Sequence, residues 1–216
     1  MDYEDGELRY FLKRYPALVS ISSNIVDAYN ILEQSFSTGG KLMIAGNGGS
    51  AADAEHIAGE LMKRFCITRP LPDNMIRRLI AIDDVRGKKL SASIEKGLPT
   101  LSLVNHEALL TAYMNDVDAE GVFAQQICGY GCSSDVFLGI STSGNSDNII
   151  NAAIMARAMD IKVIALTGMT GGKLADYSDI TVKVPETETW KIQELHLPIY
   201  HFWCKCLEEH FFAKVD

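Results

Sequence analysis

The 216-residue sequence lacks the features that mark membrane, secreted and disulfide-rich proteins. It contains no apolar run near the roughly 18–20 residues that cross a membrane, and its acidic start, MDYEDGELRY, does not predict a signal peptide. No two cysteines have CxxC spacing. Their odd number predicts reduced thiols and a cytoplasmic protein; the five are Cys66, Cys128, Cys132, Cys204 and Cys206.

A basic tract is also missing. The chain has 20 Lys and Arg against 28 Asp and Glu, for a net charge of −8. This balance argues against duplex nucleic acid as the main ligand, so a bound anion must be held locally by amides, hydroxyls or a metal. With 47% hydrophobic residues the chain can bury a sizeable core. We therefore expect residues 1–216 to form one domain.

Apolar periodicity predicts alternating helices and strands. Helical spacing covers residues 6–14 and 17–36, within an N-terminal helical region of residues 1–37, and returns in a closing helix over 188–212. Short apolar runs between the helices are typical of buried parallel strands, which bind ligands beyond their carboxyl ends. The runs cover residues 41–45, 136–140, 162–166 and 180–184.

Residues 66–106 are the most ambiguous region. The runs at 79–82 and 100–104 could each form a strand, and Arg86-Gly87-Lys88-Lys89 between them reads as an exposed polar loop.

The glycine-rich segment 46–51, GNGGSA, supports three interpretations. It fits a loose G-x-G-x-x-A dinucleotide fingerprint, in which Asp83 would contact the ribose. It also fits a strand-to-helix turn whose amides approach a small phosphorylated ligand. The third interpretation is a tight turn with Ser50 as the helix N-cap.

The segment 141–146, STSGNS, has four hydroxyls and a glycine at the start of a predicted helix. Hydroxyls and helix amides together donate to phosphate oxygens. The G-K-[ST] ending of a nucleotide-binding P-loop is absent, so a single phosphate, as on a sugar, fits better than a nucleotide. An ordinary polar turn is the alternative.

Titratable side chains suggest a second cluster. His56 and Glu60 share one face of a predicted helix, and Gln193 and His201 lie eight residues apart on the closing helix. Imidazole, carboxylate and amide oxygen can together hold zinc, although His196 is a rival ligand. Asn115-Asp116 either caps a helix or contacts the ligand.

Taken together, these segments resemble the sugar isomerase (SIS) domain family, and within it the branch that isomerises sedoheptulose 7-phosphate. The matching pieces are GNGGSAADAEHIAGEL (46–61), ND (115–116), GISTSGNSDNII (139–150), ALTGMTGGKLADYSDITVKVP (165–185) and IQELH…H (192–201).

The resemblance implies a three-layer α/β/α sandwich with a five-stranded parallel sheet. It also implies a homotetramer packed through the N-terminal helices, with active sites between subunits. Glu60 would be the catalytic base and His201 the catalytic acid. The implied zinc ligands are His56, Glu60, Gln193 and His201. The implied substrate contacts are Asn47, Gly48, Gly49, Ser50, Glu60, Asn115, Asp116, Ser141, Thr142, Ser143, Ser146 and Gln193.

The implied reaction converts sedoheptulose 7-phosphate to D-glycero-D-manno-heptose 7-phosphate through an enediol, supplying heptose for lipopolysaccharide or capsule. Two departures from the family stand out: an apparent insertion over about 75–98, and Pro198, which should kink the closing helix between Gln193 and His201. The alternative is a non-catalytic SIS protein that binds a replication initiator or another protein partner. The presence of both Glu60 and His201 favours the enzyme.

Overall fold

The computed structural model describes residues 6–213. Helices and strands alternate along most of the chain. The strands are β1 (Leu42–Gly46), β2 (Thr100–Ser102), β3 (Val136–Ser141), β4 (Lys162–Thr167) and β5 (Ile180–Lys183). The α-helices are α1 (Gly6–Arg14), α2 (Ser22–Ser37), α3 (Gly49–Met62), α4 (Asp73–Ile82), α5 (Asp84–Ser93), α6 (Glu107–Asp116), α7 (Val122–Tyr130), α8 (Asp147–Ala158) and α9 (Thr189–Phe212). Short 3-10 helices cover Pro16–Ile21, Ala119–Gly121 and Lys173–Tyr177.

The five strands form one parallel sheet in the order β2-β1-β3-β4-β5, which confirms the predicted fold class. Successive side chains of a strand point to opposite faces. Leu42 and Ile44 of β1 therefore enter the core shared with α1, α2, α3 and α9. Met43 and Ala45 enter the second core, which includes α7 and α8. Helices thus cover both faces of the sheet, as a parallel sheet requires.

The central pair of strands determines where the loops lie. Gly46, the last residue of β1, pairs with Ile140 of β3. The loops that follow these two strands therefore emerge side by side at the carboxyl edge of the sheet.

The N-terminal helices pack against the rest of the same chain. The predicted helix over 17–36 begins as the 3-10 helix Pro16–Ile21 and becomes α-helical at Ser22. In α1, the ring of Phe11 stacks on that of Phe202 in α9, with 4.7 Å between ring centroids. Their expected role in oligomer packing stays a prediction.

The predicted strand at 79–82 is wrong. Its residues are the last turn of α4, and the predicted loop at Arg86 lies within α5. A four-residue apolar run cannot distinguish a strand from one turn of an amphipathic helix. The two helices approach closely at Gly87, where an added Cβ would lie 2.2 Å from the carbonyl oxygen of Leu79. The second ambiguous run does form strand β2.

The α4–α5 pair lies at the surface of the described chain. The amide of Lys96 donates to the carbonyl of Arg69 at 2.8 Å, which ties the two ends of the segment together. Ile82 and Val85, at the turn between the helices, are 84% and 77% exposed.

The closing helix α9 continues through Pro198 as one element, and Pro198 itself is buried. The predicted kink does not interrupt the helix. No helix within residues 6–213 is long and apolar enough to span a membrane.

Candidate active site

The loop after β1 is held against the start of α8. The side chains of Asn47 and Asn148 exchange two hydrogen bonds, of 2.9 and 3.0 Å. The N-cap position of α3 is Gly48, whose φ of 55° favours glycine. Ser50 is buried within the first turn, so the prediction that Ser50 is the N-cap is wrong.

The structure also contradicts the dinucleotide interpretation of this loop. Asp83 does not follow a strand. It lies between α4 and α5 and accepts a hydrogen bond from the amide of Arg86 at 2.8 Å, which makes it the N-cap of α5. Asp83 therefore does not supply a carboxylate at the carboxyl edge of the sheet, where it would contact a ribose.

The hydroxyl loop after β3 has a defined internal geometry. Ser141 is buried, and its Oγ lies 3.0 Å from Oγ of Ser146. Ser146 occupies the N-cap position of α8, but its side chain makes no cap hydrogen bond to the helix. The amide of Asn145 donates to Oγ of Ser143 at 3.1 Å. Hydroxyls and the positive end of α8 are thus presented together, as anion binding requires.

This loop packs tightly on the glycine-rich loop after β4. Gly144 has a φ of 66°, and an added Cβ there would lie 2.0 Å from the carbonyl oxygen of Gly171. The amide of Gly168 donates to the carbonyl of Thr142 at 3.0 Å. The backbone that carries the hydroxyls is therefore fixed by its neighbour.

A cavity of about 220 Å³ opens between the loops after β3, β4 and β5. Thr142 and Ser143 line one side, and their role in substrate binding stays a prediction. The sequence analysis missed several other lining residues, although each follows a strand at the same edge of the sheet. They are Gly168, Met169, Thr170, Glu186 and Thr187.

Asn115 and Asp116 do not cap the start of a helix. They are the last two residues of α6, both exposed, and Nδ2 of Asn115 donates to Oδ1 of Asp116 at 2.8 Å. Within residues 6–213 no hydrogen bond connects either side chain to the loops after β1 and β3. Their contact with substrate stays a prediction.

The proposed acid and base lie between α3 and α9. Nε2 of His56 lies 3.4 Å from Oε1 of Glu60, and the rings of His56 and His201 are 5.0 Å apart at their centroids. Nε2 of His201 is buried without a hydrogen-bond partner in the described chain. Lys63 Nζ donates to Oε2 of Glu60 at 3.0 Å. We call His56, Glu60 and His201 the α3–α9 cluster.

Burial governs the electrostatics here. Burial lowers the pKa of His201, the nearby His56 lowers it further, and Glu60 only partly opposes them. His201 is therefore neutral near pH 7. Burial, followed by the neighbouring Asp53, raises the pKa of Tyr200 above its ordinary value, so that phenol keeps its proton.

Gln193 does not join the α3–α9 cluster within one chain. Eight residues of α-helix separate Gln193 from His201 by about 12 Å along the axis. The Gln193 amide instead lies against the start of α3, where an added Cβ on Gly49 would be 2.5 Å from its Nε2. His196, the rival ligand, is fully buried in α9, and burial lowers its pKa to about 4.

A buried ion pair supports the end of α3 that carries Glu60. Arg69 donates to the carbonyls of Leu61 at 2.6 Å and Glu60 at 3.3 Å, and to Glu208 of α9. The sequence analysis missed Arg69 and Glu208, because no local pattern relates residues 139 positions apart.

The parallel α/β sandwich with glycine and hydroxyl loops at its carboxyl edge defines a class of α/β proteins that bind small ligands at that edge. The family model described as "SIS domain" matches residues 14–168, and the chain belongs to this family. Within it, the chain belongs to the phosphoheptose isomerases. It is 42% identical to the phosphoheptose isomerase of Aneurinibacillus thermoaerophilus, over 83% of this chain and 77% of that protein. It is 36% identical to the phosphoheptose isomerase of Helicobacter pylori (strain Shi470), over 92% of this chain and 90% of that protein.

Solved structures give the same result. The phosphoheptose isomerase from Neisseria gonorrhoeae superposes with a TM-score of 0.71 at 32% identity, covering 94% of this chain and 93% of that one. The phosphoheptose isomerase from Francisella tularensis superposes with a TM-score of 0.73 at 28% identity, covering 97% of this chain and 100% of that one. These comparisons give no support to the initiator-binding alternative.

Proposed function

We propose that this chain is an aldose–ketose isomerase that converts sedoheptulose 7-phosphate to D-glycero-D-manno-heptose 7-phosphate. The observation that carries the proposal is the α3–α9 cluster. It brings a carboxylate and a neutral imidazole from two distant segments to one place. A phosphoheptose isomerase from Neisseria gonorrhoeae shares the fold at 32% identity, which supports the substrate class.

The reaction moves one proton between neighbouring carbons. Glu60 removes a proton from C1, which produces an enediol, and returns a proton to C2. His201 moves a proton from the C1 oxygen to the C2 oxygen, which a neutral imidazole can do because one ring nitrogen accepts while the other donates.

The phosphate is held away from the reacting carbons. We assign it to the hydroxyls of Thr142 and Ser143, which line the cavity described above, and to the first turn of α8, which begins after Ser146. Binding energy from this remote group would orient the sugar at the α3–α9 cluster.

Zinc is a proposed cofactor. His56, Glu60 and His201 supply two imidazoles and a carboxylate, a donor set that suits zinc, and the unpartnered Nε2 of His201 is an available donor. Within residues 6–213, no three His, Cys, Asp or Glu side chains are already at ligand spacing. A bound zinc ion would polarise the carbonyl and stabilise the developing oxyanion.

We propose that the active site is completed by a neighbouring subunit of a homotetramer. Glu60 lies eleven residues after Gly49, or about 16 Å along α3, so the α3–α9 cluster and the loop after β1 are far apart within one chain. Gln193, which is also distant from His201, would then ligate from another subunit. The exposed Ile82 and Val85 offer apolar surface for assembly.

We place the reaction in the cytoplasm, in heptose synthesis for lipopolysaccharide or capsule. All five cysteines are free, which is consistent with a reducing compartment.

The deciding experiment measures isomerisation of sedoheptulose 7-phosphate by wild type and by Glu60→Gln, each with zinc and with chelator. Glu55→Gln is the matched control, because Glu55 is exposed on the same helix. We expect turnover by wild type and the control, and its loss in Glu60→Gln. In deuterated water the active proteins should also place deuterium at C2.

Folded wild type without turnover in either arm would contradict the proposal. Full activity of Glu60→Gln would leave the isomerase standing and remove Glu60 as its base. The chelator arm decides whether zinc is needed.

A further inference from the structure

A chain of hydrogen bonds runs behind His56, on the side of the ring away from Glu60. The hydroxyl of Tyr200 donates to Oδ1 of Asp53 at 3.0 Å. The same hydroxyl oxygen lies 3.1 Å from Nδ1 of His56. Tyr200 is 1% exposed, so its hydroxyl is held between these two partners by packing.

The direction of this chain determines which ring nitrogen of His56 carries the proton. A phenol has one proton, and Tyr200 gives it to Asp53. Its oxygen can then only accept from His56, so Nδ1 of His56 carries a proton. In the neutral form of the ring, the opposite nitrogen, Nε2, has a lone pair on the side of Glu60.

The alternative tautomer would disable the cluster. If the proton were on Nε2, that nitrogen, which lies 3.4 Å from Oε1 of Glu60, would have no lone pair with which to bind a cation. With the proton on Nδ1, the lone pair of His56 Nε2 lies 3.4 Å from Oε1 of Glu60, and Nε2 of His201 has no hydrogen-bond partner within the described chain. The partner of a histidine's distal nitrogen fixes which ring nitrogen can ligate a metal ion.

We propose that Tyr200 and Asp53 are positioning residues that hold His56 in its Nδ1–H form, with Nε2 free to ligate a metal beside Glu60. This deepens the proposed function and rests on it for the use made of the metal. The orientation of the His56 ring follows only from the contacts of Tyr200 with Asp53 and with His56, so it does not depend on the proposed function.

The sequence does not single out either residue. Asp53 lies one turn before His56 on α3, and Tyr200 lies next to His201 on α9. They meet because α3 and α9 pack against each other, and the pair is 147 positions apart in sequence.

The test measures directly which ring nitrogen of His56 carries a proton. The chain has five histidines, so the ¹⁵N imidazole spectrum of the zinc-free full-length protein can be assigned by loss of one signal in His56→Gln. In wild type we expect His56 to be protonated on Nδ1. In Tyr200→Phe, which removes only the hydroxyl, we expect the proton to move to Nε2 and zinc affinity to fall about 10–100-fold.

Two further variants make the test specific. Asp53→Asn keeps an acceptor oxygen for Tyr200, so its tautomer should remain Nδ1–H and its zinc affinity should fall less than in Tyr200→Phe. Tyr177→Phe is the matched control, because Tyr177 packs in the core on the other face of the sheet. It should leave both the His56 signal and zinc binding unchanged.

An Nε2–H signal in wild type, or an unchanged tautomer and zinc affinity in folded Tyr200→Phe, would overturn the proposal. If Tyr200→Phe does not fold, Asp53→Ala gives the same decision. Wild-type turnover is measured separately, so an inactive protein with the expected His56 spectrum would count against the proposed function alone.

Discussion

Arg69 Nε donates to Oε1 of Glu208 at 2.9 Å, and both side chains are fully buried. Glu208 also accepts from the backbone amides of Phe65, Cys66 and Ile67. A buried charge is tolerated only when it is paired and hydrogen-bonded. The pair therefore ties the segment after α3 to α9 and holds together the two helices that carry Glu60 and His201.

Glu208→Gln should destabilise the fold strongly, because it leaves the Arg69 charge buried without its counter-charge. We expect a loss of about 3–5 kcal/mol in the free energy of unfolding, measured by urea denaturation. The control is Asp84→Asn, which breaks an exposed pair with Lys88 and should cost at most about 1 kcal/mol. Equal effects of the two substitutions would contradict the structural role of the buried pair.

Stability should also depend on pH through Glu208. Burial alone would raise the pKa of Glu208, but the bonds from Phe65, Cys66 and Arg69 outweigh it and lower the pKa below its ordinary 4.5. A carboxyl with a lower pKa in the folded state stabilises the fold above its unfolded pKa. This contribution is lost as the pH falls through the folded pKa.

Unfolding free energies measured from neutral pH to below 4.5 should therefore fall less steeply in Glu208→Gln than in wild type. Parallel curves for the two proteins would show that another group causes the acid sensitivity.

Ser143→Ala should weaken phosphate binding. A hydroxyl bond to a charged group contributes about 1.5–3 kcal/mol, which corresponds to a roughly 10–150-fold rise in KM. The turnover number should change less, because the hydroxyl is remote from the reacting carbons. The steady-state kinetics of Ser143→Ala are compared with those of Ser93→Ala, which changes an exposed serine on α5. An unchanged KM would place the phosphate elsewhere.

His201→Ala should reduce both turnover and zinc content, since the change removes a proton carrier and a proposed ligand. His210→Ala, near the exposed end of the same helix, is the control. The measurements are the zinc content of the purified proteins, by metal analysis, and their rates at saturating substrate. Full zinc content with a normal rate in His201→Ala would remove His201 from the active site.

Local patterns predicted much of the fold. The apolar runs before residues 46 and 141 are strands, and the glycine and hydroxyl loops begin where those runs end. Such short-range signals succeed because strand burial and loop chemistry both depend on neighbouring residues. The run at 79–82 failed for the same reason, since four apolar residues fit the end of an amphipathic helix as well as a strand.

Pairings between distant residues were less accessible. His56 and Glu60 could be paired from helix geometry, because four residues make about one turn. Residue types and spacing could only suggest that they meet His201, and the family resemblance implied it. The position of Gln193, about two turns of α9 away from His201, shows the limit of spacing arguments.

By itself, then, the sequence determined the parallel α/β sheet, the position of its hydroxyl loop and the two helices on which Glu60 and His201 lie. These follow from hydrophobic periodicity and from residue types at strand ends. The tertiary structure alone decided that Tyr200 and Asp53 lie behind His56 and that Arg69 meets Glu208. Those contacts depend on how α3 packs on α9, which is set by the shape of the whole core and by no local pattern.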